Sequence, residues 1–267
     1  MNKSSVNLQF PFLTFIILTA NFFLSTTCNA FAGRDYYQIK IYSIDNETQE
    51  KRIDAYLEKA FIPALHRAGI NSVGVFKPIE DDPLSGKRIF VWIPFKAADE
   101  FAKLPGILDK DEQYLKDGKD YIEAAHDNAP YARIESILLR SFKGMPIFQV
   151  PEHPTAKSER IYELRSYQGA TEKIYERKVE MFNDAGEIEL FIKLGFQPVF
   201  FGEVILGSDM PNLMYMTSFS DKAAQDEYWK AFVDSPEWQK MKEIDRYKNT
   251  VSHIDKFLLH PADYSDF

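Results

Sequence analysis

Cysteine is almost missing from this 267-residue chain, which holds a single one, Cys28. One thiol closes no disulfide within the chain, so the fold rests on packing rather than cross-links. Long apolar runs are also lacking. The longest such stretch, Phe10 to Leu24, is interrupted by Pro11 and Asn21 and is short for a membrane helix, which needs about 20 residues. Basic residues are outnumbered, 32 Lys and Arg against 40 Asp and Glu, for a formal net charge of −8. That balance repels phosphate backbones and anionic headgroups, and no Lys/Arg stripe overrides it, so nucleic acid is excluded as a partner. Motifs of several enzyme classes are absent too. There is no G-x-S-x-G elbow, Gly202 to Gly207 lacks dinucleotide-loop spacing, and His66, His126, His153, His253 and His260 show no H-x3-H or H-E-x2-H spacing. A dedicated metal site is therefore not expected, haem on His66 has little support, and no cofactor is expected.

What is present at the start reads as an export signal: Lys3, the apolar stretch, then Ala30-Phe31-Ala32 before Gly33. Residues 1–32 are expected to be a signal peptide and the mature chain to be periplasmic or extracellular. Cleavage would remove Cys28 and Lys3, taking the formal charge from −8 to −9. Lipidation at Cys28 is the lesser alternative, because Ser25-Thr26-Thr27 fits the small-apolar pattern poorly.

The remainder, 45% hydrophobic and 27% charged over the whole sequence, is globular in composition and internally repeated. Tyr37-Gln38-Ile39-Lys40-Ile41-Tyr42 returns 125 residues later as Tyr162-Glu163-Leu164-Arg165-Ser166-Tyr167; Ala68-Gly69-Ile70 returns as Leu194-Gly195-Phe196, Ile89–Phe95 as Leu213–Phe219, and Ile134–Arg140 as Ile254–His260. Such ordered self-similarity marks one structural unit used twice. Within each unit a strand of period two gives way to a helix of period 3.6. The first helix runs from Thr48 to Gly69 with a kink expected at Pro63, and its counterpart from Thr171 to Gly195. Two strands follow, around Ser72–Lys77 and Ile89–Phe95, with counterparts at Val199–Leu206 and Leu213–Phe219. A second helical region (Ala97–Ala125; Ala223–Tyr247, with a helix start at Ser235-Pro236-Glu237) and a closing strand complete β-α-β-β-α-β. The expected class is α+β: two tandem ferredoxin-like units, 33–145 and 161–267, joined by the Pro-rich linker 146–160 and packed sheet to sheet as an intramolecular dimeric α/β barrel.

With these residues in view, the chain resembles the NIPSNAP family. The resemblance is carried by Tyr162–Tyr167, Leu194-Gly195-Phe196, Asp234-Ser235-Pro236-Glu237-Trp238 and Ser252–Pro261, and so spans nearly all of 160–261. In the first unit the Pro-Glu-Trp element is missing, and Asp111-Glu112-Gln113-Tyr114 stands nearest to it. The resemblance implies a dimeric α/β-barrel fold and a family linked to protein interaction, without an agreed chemistry. The wider barrel group includes cofactor-independent oxygenases and haem enzymes.

The paired first strands carry the main site candidates. With Ile39 and Leu164 facing the helices, Gln38, Lys40, Tyr42, Glu163, Arg165 and Tyr167 would face the barrel interior and orient a small polar or aromatic molecule. The competing reading is that Glu163 and Arg165 satisfy each other structurally. His253 and Asp255, two apart on the last strand, are a second candidate pair for proton transfer. The Trp and Phe residues are read as core. Two function classes follow: a module binding a small ligand or a protein partner in the cleft, and a cofactor-independent oxygenase or isomerase. A homodimer is compatible with the fold, but no sequence feature calls for one.

Overall fold

The computed structural model describes residues 33–267; the signal-peptide reading falls on 1–32, outside the described residues. The first half follows the order β1 (Tyr36–Ser43), α1 (Glu47–Tyr56), a π-helical turn (Leu57–Phe61), α2 (Ile62–Arg67), β2 (Gly74–Pro78), β3 (Arg88–Phe95), α3 (Ala98–Leu108), α4 (Glu112–Asp117), α5 (Lys119–Ile122) and β4 (Arg133–Ser141). The second half repeats it as β5 (Ile161–Gln168), α6 (Glu172–Asn183), α7 (Glu187–Lys193), β6 (Gln197–Leu206), β7 (Asn212–Phe219), α8 (Lys222–Asp234), α9 (Pro236–Met241) and β8 (His253–Pro261).

Local chemistry sets these boundaries. Asn46 accepts from the backbone N–H of Gln49 at 3.0 Å, and Asp221 from that of Ala224 at 2.8 Å, each capping a helix start. Ser235 does the same for α9, whose first residue is Pro236, as the Ser-Pro-Glu sequence leads one to expect. Gly69 and Gly195 end the first helical run of each unit at φ of 89° and 87°, a left-handed conformation that a side chain would resist. The kink expected at Pro63 takes the form of the wider turn at Leu57–Phe61, which absorbs the missing backbone donor. In the second unit the same run is broken instead at Gly186, φ 91°.

The eight strands close into a barrel in the order β1-β3-β2-β8-β5-β7-β6-β4. Each unit contributes a four-stranded antiparallel sheet, and the edges join at two seams. One pairs β4 with β6, from Leu138↔Leu206 to Ser141↔Gly202 with a register shift after Leu138; the other pairs Phe76, Lys77 and Pro78 of β2 with Pro261, His260 and Leu259 of β8. Closure leaves no open sheet edge. The linker is pinned rather than loose: Gln149 N–H donates to the Val199 carbonyl at 3.0 Å, and His153 shares a hydrogen bond with Ser218 at 2.9 Å.

The lumen is packed with apolar side chains, among them Tyr37, Ile39, Ile41, Trp92, Tyr162, Leu164, Phe200 and Met216, with Phe148 and Phe267 against them. Two further cores lie outside the barrel wall, one under the helices of each unit. This arrangement corrects the expected facing of β1 and β5. Ile39 and Leu164 point into the lumen, and Gln38, Lys40, Tyr42, Glu163, Arg165 and Tyr167 point toward the helices. The physical reason is that the lumen is filled with apolar side chains, while the helix layer supplies hydrogen-bond partners such as Gln225 and Trp229 for the polar groups.

Candidate functional site

Each unit therefore offers the same place for a site, between the outer face of its first strand and its helices. The two are built from equivalent positions filled with different residues.

In the second unit the place is self-satisfied. Arg165 donates to Glu163 at 2.6 Å through Nε and to the Tyr167 hydroxyl at 3.1 Å, and its guanidinium lies 3.6 Å from the centroid of Trp229. Glu163, with a side chain only 1% exposed, also accepts from Gln225 at 2.8 Å and from the Trp229 indole. Tyr167 and Tyr215 share a hydrogen bond of 2.8 Å, and burial raises the Tyr215 hydroxyl well above its ordinary range, so it stays protonated. Lys178 and Glu187 form a buried ion pair at 2.7 Å; burial raises the Glu187 carboxyl even against the pull of Lys178. The space left beside these groups is about 260 Å³, floored by Arg165, Tyr167 and Glu187 and walled by Phe191, Trp229, Phe232 and Trp238.

In the first unit the same place is larger and its cation forms no ion pair. The pocket measures about 500 Å³ and is lined by Gln38, Lys40, Tyr56, Phe61, Tyr114 and Tyr121, by Phe101, Ala102, Leu104, Pro105 and Leu108 of α3, and by Asp109 just after it. Gln38 occupies the position of Glu163 and donates to Ser136 at 2.7 Å. Lys40, at the position of Arg165, forms no ion pair among the described residues; its ammonium lies 4.8 Å from the centroid of Phe61 and 5.4 Å from that of Tyr42. Counting from the starts of α3 and α8, offset by 124, Phe101 and Pro105 stand where Gln225 and Trp229 stand in the second unit. The groups that satisfy Glu163 are thus replaced by apolar residues, and the loss of the Trp229 ring leaves room.

The tyrosines of this pocket are paired with one another. Tyr56 and Tyr114 share a hydrogen bond of 2.9 Å, Tyr121 donates to Tyr42 at 3.3 Å, and the rings of Tyr56 and Tyr121 stack with centroids 3.6 Å apart. Burial, reinforced by neighbouring tyrosines, raises the hydroxyls of Tyr56 and Tyr121 far above the ordinary range; they stay protonated and neutral. The π-helical turn carries Phe61 and adjoins Tyr56, so an irregular turn of a kind common at functional sites shapes the pocket wall.

His253 and Asp255 do come together, at 3.0 Å, with Gln168 donating to the other Asp255 oxygen at 3.2 Å. The His253 side chain is 60% exposed at the start of β8, and neither residue borders either of these two pockets. His66 is engaged by Asp266 at 2.8 Å. Among the described residues no group of three or more His, Cys, Asp or Glu is placed to hold a metal, and no helix is long and apolar enough to cross a membrane. Sequence reasoning missed Tyr56, Phe61, Phe101, Pro105, Tyr114 and Tyr121; aligning the two repeats through α3 and α8 would have exposed the exchange at Phe101 and Pro105.

Comparison with known proteins adds the following. The NIPSNAP family model matches residues 162–266. A candidate monooxygenase from Lactobacillus acidophilus NCFM aligns over 85% of this chain and 94% of its own, with 12% identity and a TM-score of 0.54. An anthrone oxidase-like protein aligns over 86% and 92%, with 9% identity and a TM-score of 0.52. A NIPSNAP family protein of unknown function from Agrobacterium tumefaciens aligns over 42% of this chain and 96% of its own, with 17% identity and a TM-score of 0.36. No curated protein matches the chain. The two near-full-length similarities show a shared fold.

Proposed function

We propose that this chain, whose residues 162–266 match the NIPSNAP family model, is a tandem NIPSNAP-like barrel in which the second unit is the structural half and the first unit binds a small molecule. One observation carries the reading: Lys40 stands without a counter-ion in an aromatic-lined pocket of about 500 Å³, at the position where the repeat neutralises Arg165. A pocket of this size with few polar groups suits a small organic ligand. A residue that elsewhere in the same chain is fully paired is here left for something else to pair. The leader read from residues 1–32 would put this binding outside the cytoplasm, and an N-terminus at Gly33 on the native protein checks that part.

The test is a ligand screen on the full chain by thermal shift, repeated on Ala102→Trp, which fills the pocket from its exposed α3 rim. A compound that raises the melting temperature of the unchanged protein but not of the filled variant supports the reading. Equal shifts in both, or none in a broad library, overturn it.

Turnover of the bound molecule is a second reading. It is favoured by the hydroxyls of Tyr56, Tyr114 and Tyr121, held protonated at the pocket wall, and by the candidate monooxygenase among proteins of this fold. Ligand-dependent oxygen uptake, abolished in Ala102→Trp, would establish it.

A further inference from the structure

The pocket of the first unit also says what kind of molecule it takes. Its tyrosine hydroxyls are already paired with one another, and the Gln38 amide donates to Ser136. Lys40 is the cation of the pocket and forms no ion pair among the described residues. An ammonium without an ion pair in a mostly apolar pocket favours one anionic group on the ligand, and its half-buried setting strengthens that pairing over one in bulk water. The rest of the ligand meets ring edges: Phe61 and Tyr56 stack 5.6 Å apart at 24°, and Tyr56 and Tyr121 stack at 3.6 Å and 7°, so Tyr56 is covered on its faces and has its edge left for the pocket. Ring edges favour the face of a flat aromatic ligand, because edge-to-face contacts add to plain burial. Asp109 borders the same pocket, so a second anionic group would meet a carboxylate.

We propose that the first-unit pocket selects a planar aromatic monocarboxylate, its carboxylate paired with Lys40 and its ring face packed on the edges of the Phe61–Tyr56–Tyr121 stack beside α3. This rests on the reading that the pocket binds a small molecule, and it adds the ligand's class.

Calorimetric titration of the full chain at neutral pH with four probes tests it: 2-naphthoate, the neutral 2-naphthalenemethanol, straight-chain undecanoate and 2,6-naphthalenedicarboxylate. The expected result is that 2-naphthoate binds at least about tenfold more tightly than the alcohol, as a charge-assisted contact implies, and more tightly than undecanoate or the dicarboxylate. Lys40→Met should erase the preference for acid over alcohol, while Lys40→Arg keeps it. Equal affinity for acid and alcohol in the unchanged protein overturns the class while leaving small-molecule binding standing, as does a preference for undecanoate or one that survives in Lys40→Met. Failure of all four probes, when the broader screen finds a ligand of another kind, also overturns the class. Failure of the broader screen as well removes the binding reading itself.

Discussion

The two halves of this barrel share a backbone plan and differ in what each does with one half-buried cation. In the second unit Arg165 has a carboxylate 2.6 Å away, a stacking indole and a tyrosine hydroxyl. In the first, Lys40 has two ring faces and no carboxylate. Four positions change together: Gln38 for Glu163, Lys40 for Arg165, Phe101 for Gln225 and Pro105 for Trp229. A buried charge network is costly to leave half satisfied, so removing the carboxylate relaxes the demand for its donors. The apolar residues in their place then leave a cavity. The half with the family signature is the one that closed its site, and the diverged half is the one with space to hold something.

The largest expected effect lies in the closed half. Arg165→Ala leaves Glu163 buried with two neutral donors and no counter-charge, and should lower stability by about 3 to 5 kcal/mol. Lys40→Met, which breaks no ion pair, should change it by less than about 1 kcal/mol. Denaturant unfolding of both variants measures the contrast. Comparable losses would dissolve the distinction between the units.

A pH effect separates the units in the same direction. Counting by the offset of 125 to 126, Lys178 and Glu187 stand where the first unit has Ile53 and Phe61, both buried. The Glu187 carboxyl is raised above 4.5 chiefly by burial, so it binds its proton more tightly in the folded than in the unfolded chain. Its contribution thus favours folding at low pH and is lost as pH rises from about 4.5 through the folded value. The stability of the unchanged protein relative to Glu187→Gln should fall as pH rises above 4.5. Paired unfolding curves across that range check the slope, and a difference growing with pH would contradict it.

Much of this plan was readable in the residues, and the unreadable parts have a common cause. The repeat, the strand segments, the glycines at 69 and 195 and the Ser235-Pro236 helix start are local signals, set by dihedral preference and capping. The facing of β1 and β5 is not local. Tyr37 and Tyr42 sit on opposite faces of one strand and both are fully buried, because a barrel covered by helices buries both sides of its wall. Alternation shows that two faces exist without saying which is inside. The helix contacts of Glu163 were equally hidden, since Gln225 and Trp229 reach it from more than 60 residues away in the chain. The wide turn at Leu57–Phe61 is a compromise between Pro63 and helix packing that propensity alone does not register.

The smallest change in stability goes with the sharpest test of the comparison. Gln38→Glu restores to the first unit the carboxylate that the second unit has at Glu163, two residues from the cation and on the same strand face. The new carboxylate would have Lys40 as its counter-charge, but Phe101 and Pro105 supply none of the donors that Gln225 and Trp229 give Glu163. The gain from the ion pair is therefore offset by incomplete hydrogen bonding, and the net change should stay within about 1 kcal/mol. The pocket's charge, however, is cancelled. Binding of an aromatic monocarboxylate should weaken by about tenfold or more, while a neutral aromatic ligand of the same shape is little affected. Titrating Gln38→Glu with 2-naphthoate and with 2-naphthalenemethanol reads both. If the acid binds the variant as well as the unchanged chain, the missing carboxylate is not what distinguishes the two halves, and the difference in cavity volume alone must carry it.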